Sequence, residues 1–183
     1  PAPNDQPADK PDWPIFKDIF NDDSFEGPPG PWNPAEHPDW EESNLNVQKV
    51  LERFRDATAR PGYACRSGLG PDEMGPPEEG ERLLINLLLP HLGPHRTLGK
   101  ATLAAAWRTE NGKVSPERMI DAWKTVLRGA SHMSQGATLI ESLVGYAERN
   151  LVELNARWAL KHNVFDEDGL ETALQTLRQY DQD

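Results

Sequence analysis

Proline is the residue that most limits what this chain can fold into, and it is distributed very unevenly. Fourteen of the 17 prolines lie before residue 81, and the other three are Pro90, Pro94 and Pro116. Each proline removes a backbone donor and fixes φ, so a segment dense in prolines sustains neither a long helix nor a sheet ladder. Residues 1–43 carry prolines at 1, 3, 7, 11, 14, 28, 29, 31, 34 and 38. They read as an irregular arm in which "EGPPGPWNP" (26–34) is extended or turn. Residues 44–183 read as a helical domain, interrupted by a Gly/Pro-rich loop at 61–79.

Charge divides at the same place. Residues 1–80 hold 17 Asp and Glu against 7 Lys and Arg, whereas residues 81–183 hold 13 against 12. The acidic front half disfavours coating of nucleic acid or of an anionic membrane surface, because phosphates repel it. No apolar run approaches the ~18 residues of a membrane span; "LLINLLL" (83–89) is too short. The first residues lack the basic start and apolar centre of a secretory leader. One cysteine, Cys65, allows no internal disulfide, which fits a reducing compartment. The expectation is a cytoplasmic protein, or a virion component if the chain is viral.

The helices are read from apolar spacing. "NLNVQKVLERFRDATAR" (44–60) places Val47, Val50, Leu51, Phe54 and Ala57 on one face. An all-round apolar helix is expected at 78–89, ended by Pro90 and followed by a turn region at 91–100. A helix over 101–110 should stop at Asn111-Gly112. Another over 116–128 has Ser115 as N-cap, Pro116 at N1 and Glu117 in the first turn. The longest spans 134–162, with Ile140, Val144, Ala147, Leu151, Leu154 and Trp158 facing inward and Leu139, Leu143 and Leu160 widening the stripe. It is long enough to pair with a second helix, so the 139–160 stretch is a candidate homo-oligomer contact. The last helix covers 169–180, with Asp168 and Glu171 as an acidic capping box. No period-2 alternation suggests a strand. The expected fold is therefore all-α, a bundle of about six helices with a long Pro-rich arm.

No chemical motif stands out. His91 and His95 have the i, i+4 spacing of a metal pair, but Gly93 and Pro94 between them argue for a loop. Cys65 beside Arg66 lacks a visible base, and packing is the simpler role. "DEDG" (166–169) lacks the alternating acids of a calcium loop. Neither a phosphate loop nor a dinucleotide fingerprint occurs. The expectation is no metal, no cofactor and no catalysis.

Two segments carry interaction chemistry. Trp13, Ile15, Phe16, Ile19 and Phe20 cluster in "PDWPIFKDIF", and a short helix capped by Asp12 would put Trp13, Phe16, Ile19 and Phe20 on one face. Four such anchors supply about 6–12 kcal/mol on burial, while ordering ten residues costs about 1–2 kcal/mol each. The segment cannot hold itself folded and needs a receiving surface. Trp32 and Trp40 extend this aromatic pattern, so all seven residues are expected on a partner chain, with wrapping of the chain's own domain as the rival arrangement. The second segment runs from 96 to 128. There Arg96, Lys100, Arg108, Lys113, Arg118, Lys124 and Arg128 outnumber three acids, an outline compatible with nucleic-acid binding. The reading is a non-catalytic helical subunit, adaptor or scaffold of a larger assembly, a viral or phage particle included. A nucleic-acid-binding helical protein is the alternative.

Overall fold

The structure is a computed structural model. It describes residues 30–61, 77–135 and 139–180, with the backbone alone over 77–91. The described elements are α1 (Pro38–Thr58), α2 (Pro77–Ala106), β1 (Thr109–Glu110), β2 (Lys113–Val114), α3 (Pro116–Ser134), α4 (Leu139–Lys161) and α5 (Glu167–Tyr180). The all-α expectation holds apart from one very short hairpin. Five helices occur among the described residues rather than about six, because the two expected at 78–89 and 101–110 are one.

That merged helix, α2, runs through Pro90 and Pro94. A proline inside a helix costs about 3 kcal/mol or more. The two prolines remove two backbone donors, and the carbonyl that Pro94 leaves without its helical partner is that of Pro90. Burial of Leu92, Ala101, Leu103, Ala104 and Ala106 offsets that loss in the second half of the helix. The expected turn at 91–100 is therefore helix, and the backbone places His91 and His95 one turn apart on it.

Helix α3 is the centre of the bundle, packing against α1, α2, α4 and α5. Its start follows the sequence closely. Ser115 Oγ accepts from the Arg118 N–H at 3.2 Å, and Pro116 needs no partner at N1. Met119, Ile120, Ala122, Trp123, Val126, Leu127, Ala130 and Met133 are all buried. The helix continues past 128 to Ser134. At Gly129 the helix passes close to α2, since a Cβ there would lie 2.9 Å from the His95 ring.

Between α2 and α3, Asn111 and Gly112 both take positive φ (52° and 75°) and turn a two-residue hairpin that pairs Thr109 with Val114. An Asn-Gly turn of this hand matches the twist of paired strands. The helix expected to reach 110 therefore ends at Ala106.

The largest departure lies at the front. Residues 30–43 are part of the helical domain, and α1 begins at Pro38, six residues before the expected boundary. Trp32 is 2 % exposed. Its N–H donates to Trp107 O at 3.1 Å, its carbonyl accepts from the Thr109 N–H at 2.8 Å, and its indole donates to Ala104 O at 3.0 Å. Trp40 meets it edge to face at 6.0 Å, and His37 stacks on Trp40. The expected partner anchors Trp32 and Trp40 thus lie on the chain's own core, where a buried indole gains both apolar contact and a hydrogen bond.

At the other end, Asp166 caps α5 by accepting from the Gly169 N–H at 2.9 Å. This replaces the capping box expected from Asp168 and Glu171. Asn163, at φ 50°, closes α4 with Val164 N–H donating to Ala159 O and Asn163 N–H to Leu160 O.

Trp32→Ala should cost about 3–5 kcal/mol, the range for removing a buried tryptophan. Urea unfolding of the full chain measures it. A loss under 1 kcal/mol would mean that residues 30–34 are not part of the cooperative core.

Candidate interaction surface on helix α4

Helix α4 carries two stripes, both with the 4-3 spacing of a helix seam. The inner one is Glu141, Gly145, Glu148, Val152, Asn155 and Ala159, and every member is buried. The outer one is Leu139, Leu143, Tyr146, Asn150, Glu153, Arg157 and Leu160, and every member is exposed. Leu139 is 76 % exposed, Leu143 57 %, Tyr146 62 % and Leu160 54 %.

This orientation corrects the inward face expected from apolar spacing. Of Ile140, Val144, Ala147, Leu151, Leu154 and Trp158, only Leu151 is fully buried; Ile140 is exposed and the others are half-buried. The reason is the closeness of α3. A Cβ built on Gly145 would lie 2.6 Å from Ala130 O and 2.5 Å from Ser134 Oγ. Only a face with glycine and alanine at the contact can approach so near, and a stripe of leucines is too thick.

Two polar members of the inner stripe, Glu148 and Asn155, are each bonded to a neighbouring helix. His95 Nδ1 of α2 lies 2.8 Å from Glu148 Oε1, and that carboxylate is completely buried. Phe54 of α1 covers the same imidazole edge to face at 5.1 Å. Trp123 Nε1 of α3 donates to Asn155 Oδ1 at 2.8 Å. Beside the stripe, Arg149 donates to Tyr180 O at 2.7 Å and Arg128 to the Tyr180 hydroxyl at 3.1 Å. These bonds tie α4 to α2, α3 and α5. Sequence reading missed Glu148 and Asn155. Their seven-residue spacing with Glu141 was the available signal, and apolar spacing outweighed it.

Three side chains of the basic segment, Arg108, Arg118 and Arg128, are engaged within the fold. Arg108 grips Glu41 with two bonds, Nε at 2.8 Å and Nη2 at 2.7 Å, and reaches Glu110 at 3.2 Å. Arg118 also bonds Glu110, at 3.1 Å. The Arg108 guanidinium holds the Glu41 carboxyl below the usual carboxylate range. These groups line an open groove of about 440 Å³ between α1, the end of α2 and α3, where Arg55, Glu52 and Asp121 also sit. Burial lowers the proton affinity of the Lys100 ammonium and of the His132 imidazole. Arg128 serves Tyr180, Lys124 is half-buried, and Arg96 and Lys113 are exposed. Arg108, Arg118 and Arg128 thus have partners of their own, and the seven basic side chains are not one open cationic face. The short helix-turn-helix outline is also absent, since a 30-residue helix and a hairpin precede α3.

Trp13, Ile15, Phe16, Ile19, Phe20 and Cys65 lie outside the described residues. No group of three metal-ligating side chains occurs among the described residues, and no described helix is long and apolar enough to cross a membrane.

Two measurements check the internal pairs. Glu41→Gln should cost about 1.5 kcal/mol at pH 7, the low end for a charge-assisted bond, because both partners keep some exposure. The folded carboxyl has a lowered pKa. Its contribution is therefore present above the ordinary value of 4.5 and fades as pH falls through the folded value. Wild type and variant should converge in stability only once the pH has fallen below the lowered folded value, in acid titrations of the unfolding free energy. Separately, Glu148→Ala should cost about 3–5 kcal/mol, because it opens a cavity and strands His95. The paired replacement His95→Leu with Glu148→Met should cost less, since an apolar pair needs no compensation. Denaturant melts of all three chains decide it.

Comparison with protein-family models, with curated proteins and with solved structures found no match for this chain.

Proposed function

We propose that this chain is a non-catalytic helical subunit or adaptor of a larger protein assembly, acting in the cytoplasm or, if viral, in the particle. The observation that carries the reading is the outer stripe of α4. With Glu148 and Asn155 bonded inward, α4 exposes Leu139, Leu143 and Tyr146 together on its other face, with Leu160 farther along. Exposed apolar groups that line up as a stripe mark interaction sites, whereas scattered ones do not. The aromatic segment Trp13, Ile15, Phe16, Ile19 and Phe20 is a second contact in this reading, because its anchors need a receiving surface. Trp32, by contrast, belongs to the core.

Binding of nucleic acid through Arg96, Lys100, Arg108, Lys113, Arg118, Lys124 and Arg128 is the weaker alternative. Three of those side chains are committed to Glu41, Glu110 and Tyr180, so pulling them towards phosphates would sacrifice bonds within the fold.

The test is the native mass of the assembly formed by a tagged full-length chain in its own cells. The expected result is a species heavier than one chain that is lost when residues 1–29 are removed or when Leu139→Glu is introduced. An assembly unchanged by both alterations rejects the proposal.

A further inference from the structure

The outer stripe of α4 steps by four and three residues over seven positions, which is the spacing of a two-stranded coiled-coil seam. The matching inner seam is already filled by α2 and α3. Resting on the reading of the outer face as an interface, we infer that its occupant is the α4 helix of a second copy of this chain, antiparallel, about a two-fold axis between Leu151 and Val152.

The order of residues along the stripe carries this choice. In an antiparallel pair centred there, Leu143 lies opposite Leu160 of the second copy, Tyr146 opposite Arg157, and Asn150 opposite Glu153. The two-fold axis repeats each layer. Leucines close both ends of the seam. The Arg157 guanidinium meets the face of Tyr146, a cation–π contact. The Asn150 amide donates to the Glu153 carboxylate, and a polar layer of this kind at the centre fixes register. Within one chain, Arg157 and Glu153 form only a loose pair at 3.9 Å, so little is given up on redirecting them. The flank agrees as well: Ala147 and Leu154 are half-buried on one side of the stripe, and each meets the other across the axis.

Other arrangements of the same two helices fit worse. A parallel pair puts Glu153 against Glu153 and Arg157 against Arg157. An antiparallel pair shifted by one heptad towards the N-terminus puts Leu143 against Glu153 and Leu139 against Arg157. From Leu143 to Leu160 the stripe is thus complementary to its own reverse, the condition for a closed two-fold interface.

The test uses the purified full-length chain. Light scattering should give twice the 20.5 kDa chain mass. Leu143→Glu and Leu160→Glu should each give the single-chain mass while keeping helical circular dichroism and cooperative melting; both sites are more than half exposed, so the fold tolerates them. Register is read by cross-linking in a Cys65→Ala background with a short bismaleimide. Asn150→Cys should join its twin, offset by three residues or about 4.5 Å along the axis. Leu160→Cys should not, because its twin lies about 25 Å away. Cross-linking at both positions means a parallel pair and overturns the inference, as does a dimer that survives both glutamate variants. A wild-type chain of single mass at 100 µM also overturns it. If Leu139→Glu nevertheless dissolves the native assembly, the interface reading stands and only the second copy is lost.

Discussion

The approach of α4 to α3 at Gly145 is the constraint on which the rest of the structure depends. With the Ala130 carbonyl and Ser134 hydroxyl so near the glycine, one face of α4 is selected by size before polarity matters. Selecting the thin face brings Glu141, Glu148 and Asn155 inside, and the fold must then supply His95 and Trp123 to meet the latter two. It also turns Leu139, Leu143 and Leu160 outward. The buried polar seam and the exposed apolar stripe are two consequences of one steric choice.

The seam explains why α4 does not simply roll over to bury its leucines. A rotation that brought Leu143 inward would expose Asn155 to water at little cost but would separate Glu148 from His95 while both remained near the core. Stranding one member of a buried pair costs about 3–5 kcal/mol, comparable to what burying two leucines returns. Added to the clash at the α3 contact, this keeps the stripe outside.

The front of the described chain obeys the same logic of matched groups. Trp32 closes the end of α2 with three hydrogen bonds and completes a cluster with Trp40, Trp107 and Trp123. The acidic excess of α1 is partly answered by Arg108 through Glu41. What looked from composition like an arm ending at residue 43 therefore contributes Trp32 to the core and, from Pro38 onward, the first turns of α1. Aromatic content marked these residues as adhesive, and adhesion is what the structure shows for Trp32 and Trp40, directed at their own chain.

Local rules alone determined the elements whose physics is local. The start of α3 at Ser115-Pro116 follows from capping by a side chain three residues before its donor, and the helical class follows from apolar spacing at 47–54 and 119–127. Where two local signals competed, the neighbourhood decided. Pro90 and Pro94 predicted a break, but burial of Leu92 to Ala106 against α3 and α4 outweighed two missing donors. Asn111-Gly112 could end a helix or turn a hairpin, and Trp32 pairing beside Arg108 favoured the hairpin. The orientation of α4 was beyond any one-dimensional reading. Its apolar residues populate both sides, and only the three-dimensional approach of Ala130 and Ser134 to Gly145 distinguishes the face that can come close from the face that cannot.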